Sequence, residues 1–293
     1  MQKVLYFFYA MRLKTLIAAI APILITSALC YKFYSFNMMF FYCTLLAAIL
    51  IQIMTNLIND LYDYRKGADQ NNRIGPDRMV QKGYLSEKEI LYGIYFIFFC
   101  ALFLGIYLVS IGGVIILAIG LSSFLFAYLY TATRFSIAYN GLGEIFVFLY
   151  FGVIASLGTF YLQTLEYRYE VLLIGIIAGC LNSNLLIINN IRDYLSDKKS
   201  QKKTLIVRFG IIFGKLEFII MFIVSYIFLY LFAVYQDNLM IFYRTIPLSI
   251  FAFYIVFKIV KDKAFINHKA LPLFSTYLLL FTFLLTCNIL YGI

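Results

Sequence analysis

Two stretches of this chain carry residue types that can do ionic chemistry in an otherwise apolar sequence. The first runs from Asn56 through Asn59, Asp60 and Asp63 to Asp69, and the second from Asn189 and Asn190 through Arg192 and Asp193 to Asp197, followed by Lys198, Lys199, Lys202 and Lys203. On a helix, Asn56, Asp60 and Asp63 stand at i, i+4 and i+7, and Asn189, Asp193 and Asp197 at i, i+4 and i+8, so each set forms one stripe. Carboxylates one turn apart repel one another, and at a helix C-terminus they also meet the negative end of the macrodipole, so they call for cations. Neighbouring lysines and arginines can serve. Carboxylates with Asn carbonyls are also what Mg²⁺ takes, typically one or two of them together with substrate phosphate. Two such clusters facing each other would hold two ions with a diphosphate across them, and the basic residues would bind the remaining phosphate oxygens.

The elements that position these clusters are membrane helices. The chain has 293 residues, 63% hydrophobic and 13% charged, with a net charge of +10. A soluble domain is about one quarter charged, and charge-free runs such as Ile90 to Thr133 exceed what a water-soluble core of this size can hide. Apolar runs predict nine spans near 15–31, 38–58, 90–110, 113–132, 143–163, 171–191, 214–234, 242–258 and 270–291, divided at Ser110 to Gly113 by a Gly-Gly turn. The expected fold is an all-α polytopic bundle forming a single domain over 1–293. Arg12 and Lys14 precede the first run, which lacks a small-residue cleavage pattern, so Thr15 to Tyr31 is read as a retained span rather than a signal peptide.

Charge then orients the bundle. All of the 24 basic residues except Lys32, Arg168 and Arg244 fall on one side of the nine spans, which predicts a cytoplasmic N-terminus and an external C-terminus. Both acidic clusters follow even-numbered spans and so face the cytoplasm. The excess positive charge is spread over short loops, as topology demands, and argues against nucleic acid as a partner. Cys30, Cys43, Cys100, Cys180 and Cys287 lie unpaired in apolar runs and read as core residues. His268 is the only histidine, which argues against His-ligated haem or zinc and against a Ser/His/Asp triad, and it is read as a residue of a basic loop. Transporters place ionisable groups near the bilayer midplane; here the acids gather at one rim.

A diphosphate held at that rim, above an apolar bundle, implies an isoprenoid substrate whose tail lies among the spans. Mg²⁺ and basic groups stabilise departing diphosphate while charge develops on the allylic carbon. The faces of Tyr62, Tyr64, Tyr130 and Tyr194 are candidates to steady that cation.

At these residues the sequence resembles the UbiA-type intramembrane prenyltransferases, whose hallmark is two Asp-rich motifs after the second and sixth of nine helices. Within that superfamily it is most similar to the branch that prenylates 1,4-dihydroxy-2-naphthoate in menaquinone synthesis. The matching segments run nearly the whole chain: Arg12 to Leu16, Asn56 to Asp69, Gly75 to Val80, Tyr130 and Thr131, Gly141 to Glu144, Gly158 to Gln163, and Asn189 to Leu205. Leu13 stands where the family commonly has Pro, and Gln201 where it has Gly; neither departure removes a charged group. The resemblance implies that Asp60, Asp63 and Asp69, with Asn56 and Asn59, serve one Mg²⁺-diphosphate site, and Asp193 and Asp197, with Asn190, a second. It further implies diphosphate contacts from Arg78, Arg192 and Lys202, with Lys14 and Arg134 as further candidates, and a catalytic group of Asp60, Asp63, Asp193, Asp197 and Tyr130. The implied reaction transfers a polyprenyl group from its diphosphate to dihydroxynaphthoate with loss of CO₂, giving demethylmenaquinol, in the cell membrane of a bacterium or archaeon. A carboxylate near the metal site can take the ring-hydroxyl proton, and Glu144 is a candidate acceptor-side group. A 4-hydroxybenzoate or other aromatic acceptor is the nearest alternative, and a secondary transporter a more remote one.

Overall fold

A computed structural model describes residues 2–67, 75 and 77–292, and among them there are helices and connecting turns but no strand. Helix α1 (Gln2–Met11) leads through a short 3-10 turn into α2 (Ile17–Phe33), the two bent by 52°. Arg12 takes up the bend at φ 53°. Helix α3 (Met38–Arg65) starts where the Asn37 side chain accepts hydrogen bonds from the amides of Met39 (2.8 Å) and Phe40 (3.2 Å), so its first orphan donors are capped. Helix α4 (Glu87–Leu129) opens with a Ser86/Glu89 capping box.

Helix α4 is a hairpin, not a rod. Gly113 sits inside it at φ 61°, ψ −146°, a region essentially reserved for glycine, and the rings of Phe98 and Phe124 lie 5.0 Å apart. On a straight helix these residues would be about 39 Å apart. The chain therefore reverses at Gly113, within the turn expected at Ser110 to Gly113.

The next span is continuous over Gly143–Thr164, made of α5 (Gly143–Phe148), a π segment (Leu149–Ile154) and α6 (Ala155–Thr164). Helix α7 (Tyr169–Arg192) follows, then short helices α8 (Tyr194–Lys199) and α9 (Leu205–Phe209), α10 (Ile211–Tyr235), the single turn α11 (Met240–Tyr243), α12 (Ile246–Lys261), α13 (Lys263–His268) and α14 (Ala270–Tyr291).

Helix α7 is the centre of the bundle: 83% of its apolar window is buried inside the protein, whereas none of the other five long helices exceeds 44%. It packs against the π segment at van der Waals contact of backbones, since a Cβ on Gly152 would stand 2.4 Å from the Gly179 Cα. The main core joins α2, α6, α7, α10, α12 and α14, and a second cluster joins α1, α3, both arms of α4 and the turn at Met79 to Leu85. Outward faces are apolar: Tyr92, Phe96, Phe103, Ile250, Phe253 and Phe283 are all exposed. An apolar belt of this extent belongs in lipid, not water, and the protein is an integral membrane protein.

Among the described residues, six helices are long and apolar enough to cross a bilayer, or seven if the bent α1–α2 pair is one span. The expected nine is not established by these lengths. At 16 residues α12 is about 24 Å long, and α4 passes as a single helix although it turns back on itself.

Candidate active site

The first acidic stretch is helical to Arg65, so Asn56, Asp60 and Asp63 do share a stripe. The second departs from the expected pattern. Helix α7 stops at Arg192, with Asp193 as its cap at φ −87°, ψ 5° before α8 begins. Hydrogen bonds from the Asp193 amide to the Asn189 carbonyl (2.9 Å) and from the Asp197 amide to the Asp193 carbonyl (2.8 Å) hold the segments together, but the stripe is interrupted at its middle carboxylate.

Both stretches open on one cavity of about 720 Å³. Of the residues expected at the site, Lys14, Asn59, Asp63, Arg78, Tyr130, Asn190, Arg192, Asp193 and Lys202 line it, as does Glu144. The remaining ones do other work. Asn56 donates from its amide to the Met11 carbonyl (2.9 Å) and the Thr15 hydroxyl (3.2 Å), anchoring the α1–α2 bend. The Asp60 carboxylate is 1% exposed and accepts the backbone amides of Met79 (3.1 Å) and Val80 (3.4 Å), so its charge fixes the turn that carries Arg78. Asp197 is buried outside the cavity wall, 3.6 Å from Lys202. Arg134 is exposed and outside the wall. Asp69 lies outside the described residues.

The two motif carboxylates that face the cavity are each held by arginine. Arg78 Nη2 lies 2.5 Å from Asp63 Oδ2, with both side chains buried, and Arg192 bridges Asp193 in bidentate fashion at 2.8 Å and 2.8 Å. Asn59 accepts from the Thr131 hydroxyl, and Asn190 donates to Glu144 Oε1 at 2.7 Å. Among the described lining residues, Arg12, Lys14, Arg78, Arg192 and Lys202 face Asp63, Glu144 and Asp193. The balance is positive, which suits a polyanionic group with its counter-cations.

Beneath the polar cavity lies an apolar one of about 320 Å³, walled by α2, α3, both arms of α4 and the α5–α6 span. Gly105, Gly120 and Gly158 keep its walls low. Tyr130 lines both cavities and marks the boundary between them.

The UbiA prenyltransferase family model matches residues 19–279. The chain belongs to the UbiA prenyltransferase family. A 1,4-dihydroxy-2-naphthoate octaprenyltransferase of Haemophilus influenzae is 36% identical over 76% of this chain and 75% of its own length, and the Escherichia coli protein of the same name is 33% identical over 69% and 67%. A UbiA homologue from Archaeoglobus fulgidus, solved with GPP and Mg²⁺, shares the fold at a TM-score of 0.68 with 16% identity, covering 97% of this chain and 99% of its own.

In this UbiA-family chain the structure also brings in residues that the sequence did not mark. Tyr139 donates its hydroxyl to Asp63 Oδ1 (2.9 Å), and its ring lies under Lys66 Nζ at 4.2 Å and Lys202 Nζ at 5.5 Å. It thus ties the first motif to the second. Lys66, counted above only as a topological charge, is held by the carbonyls of Thr131 (2.6 Å) and Thr133 (2.7 Å) and the Ser136 hydroxyl (3.0 Å). Desolvation pushes its pKa below the usual lysine range, Asp63 pulls it back up, and Lys202 lowers it again. His268, expected in an unremarkable basic loop, lines the cavity beside Asn267. No spacing rule marks either residue, because α13 reaches the cavity only through tertiary packing.

Among the described residues no three carboxylate, cysteine or histidine groups converge as a metal cage. The donors are instead one cavity-facing carboxylate from each motif, with the amides of Asn59, Asn189 and Asn190. An oxygen-only, incomplete donor set fits Mg²⁺ shared with a phosphate ligand. Asp63 and Asp193 are the motif carboxylates that line the cavity.

Proposed function

We propose that this chain is a Mg²⁺-dependent polyprenyltransferase that moves a polyprenyl group from its diphosphate to 1,4-dihydroxy-2-naphthoate, releasing diphosphate and CO₂ and yielding demethylmenaquinol for menaquinone synthesis. The observation that carries this reading is the junction at Tyr130, where a cationic cavity walled by both acidic motifs meets an apolar cavity inside the bundle. A head group with several negative charges and a long hydrocarbon tail fits that pair of spaces. The names of the bacterial relatives support the naphthoate acceptor, and the GPP and Mg²⁺ of the archaeal relative support the donor and the metal.

Asp63 on one side and Asp193 on the other would hold Mg²⁺ together with the diphosphate, two ions in all on this reading, and the metal would supply charge neutralisation for the departing diphosphate. Arg78, Arg192 and Lys202 exchange their carboxylate partners for phosphate oxygens. The Tyr130 ring lies where the allylic carbon, between head and tail, must sit, and its face stabilises positive charge there. The electron-rich ring of the acceptor then attacks that carbon, the C–O bond to diphosphate breaks, and the carboxyl leaves as CO₂. Glu144 stands in the wall as a carboxylate able to take the ring-hydroxyl proton. Asp69 remains a candidate for the first metal site by its motif alone.

The same reading puts the N-terminus and both motifs on the cytoplasmic face of the cell membrane and the C-terminus outside, following the basic residues. The deciding experiment incubates membranes containing the protein with dihydroxynaphthoate, a labelled polyprenyl diphosphate and Mg²⁺. Lipid-soluble demethylmenaquinol that disappears with EDTA and with Asp193→Ala supports the proposal. Product with 4-hydroxybenzoate but not with naphthoate overturns the acceptor and keeps the mechanism.

A further inference from the structure

The cavity has two unlike walls. One carries the acidic motifs and their arginines. The other is built by α13 and the first turns of α14, where Asn267, His268, Leu271 and Pro272 face the same space and no carboxylate stands among the lining residues. Next to this wall, the α1–α2 bend, whose 3-10 turn packs on α14, contributes Arg12 and Lys14.

Helix α13 is placed there deliberately. The Asp262 side chain caps its start by accepting the Phe265 amide at 3.0 Å, while Phe265 and Ile266 are buried at 5% exposure each and pin the helix into the main core. Lys215 of α10 grips the preceding helix through the Val260 carbonyl at 2.6 Å. With two successive residues locked inward, His268 emerges exposed on the rim of the cavity.

A flat aromatic ring bearing a carboxylate and hydroxyl groups needs apolar faces, neutral hydrogen-bonding groups and a cation. We propose that the α13–α14 wall is the acceptor subsite: Leu271 and Pro272 lie against the ring, Asn267 and His268 hydrogen-bond its oxygen substituents, and Arg12 and Lys14 neutralise its carboxylate. This inference rests on the aromatic prenyltransferase reading above. It separates the two substrates by wall, the diphosphate on the motif side and the aromatic acid on the C-terminal side, with the reacting carbon between them at Tyr130.

The test is steady-state kinetics on the full chain in lipid nanodiscs with Mg²⁺, varying dihydroxynaphthoate and polyprenyl diphosphate separately. Loss of a hydrogen bond to a charged or polarised oxygen predicts that His268→Ala and Asn267→Ala each raise the acceptor KM about tenfold. The diphosphate KM should stay within about twofold, and His268→Gln, which keeps a hydrogen-bonding side chain, should recover most of the acceptor KM. An unchanged acceptor KM in both Ala variants, or an equal rise in both KM values, overturns the proposal. If an Ala variant gives no turnover, equilibrium binding of labelled dihydroxynaphthoate and labelled diphosphate to the same preparation decides. Selective loss of the acceptor supports the subsite, and loss or retention of both overturns it. Unsubstituted protein that prenylates no aromatic acid defeats the functional reading itself, and that failure is told apart because it needs no substitution to be seen.

Discussion

At the scale of single residues, acids of one motif divide their labour. Asp60 spends its charge on the amides of Met79 and Val80, whereas Asp63 and Asp193 present theirs to the cavity through arginine. Asp60→Ala should therefore destabilise the fold by about 1–3 kcal/mol, the cost of leaving buried amides unpaired, visible as a lower midpoint of thermal unfolding in detergent. Asp193→Asn keeps the shape of the side chain and should lower Mg²⁺-dependent turnover by at least about a hundredfold, while the loss of charge beside buried Arg192 also lowers the unfolding midpoint. Tyr139→Phe removes one hydrogen bond to Asp63 while keeping the ring beneath Lys66. It should slow turnover by about tenfold, and Tyr139→Ala, which also discards the cation–ring contacts, should slow it further. An unchanged rate in both would show that the link between the motifs is ornamental.

At the scale of elements, hydropathy made the spans legible because each long helix buries only part of its surface and gives the rest to lipid. The Gly112–Gly113 pair made the hairpin legible because glycine alone tolerates the backbone angles found there. Gly113→Ala should cost about 1–3 kcal/mol and lower the unfolding midpoint. Gly152→Ala should be at least as damaging, because its Cβ meets the α7 backbone at Gly179 and neither helix can yield without repacking. What the sequence hid was of a different kind. The break at Asp193 depends on how the cap residue is held, and periodicity continues through it unaltered. Asn56 reads as a ligand on the stripe, yet its partners at Met11 and Thr15 lie more than forty residues upstream. The roles of Tyr139 and His268 likewise arise from contacts between distant segments, which local spacing does not encode.

At the scale of the whole molecule, the fold is a sorting device for an amphipathic substrate. Polar groups gather at one rim and an apolar hollow lies below it, so head and tail are recognised by different solvents rather than by different sequences. If Mg²⁺ shared with substrate is what Asp63 and Asp193 hold, EDTA should abolish turnover and excess Mg²⁺ should restore it without refolding. Chelation should leave the unfolding midpoint of the substrate-free protein unmoved, because the carboxylates are paired to arginine in its absence. A large loss of stability on chelation would instead mark a structural ion.

The catalytic cavity is closed by residues as far apart as Leu5 and Ser275. During synthesis, the helices that carry both acidic motifs leave the ribosome long before α13 and α14 do. Until those last segments dock, a nascent chain can offer only one wall of the reaction chamber, so catalytic competence should arrive in a single late step. On the proposed division of the walls, a growing chain lacks its acceptor site until α13 and α14 dock, so it should not turn over an allylic diphosphate before then.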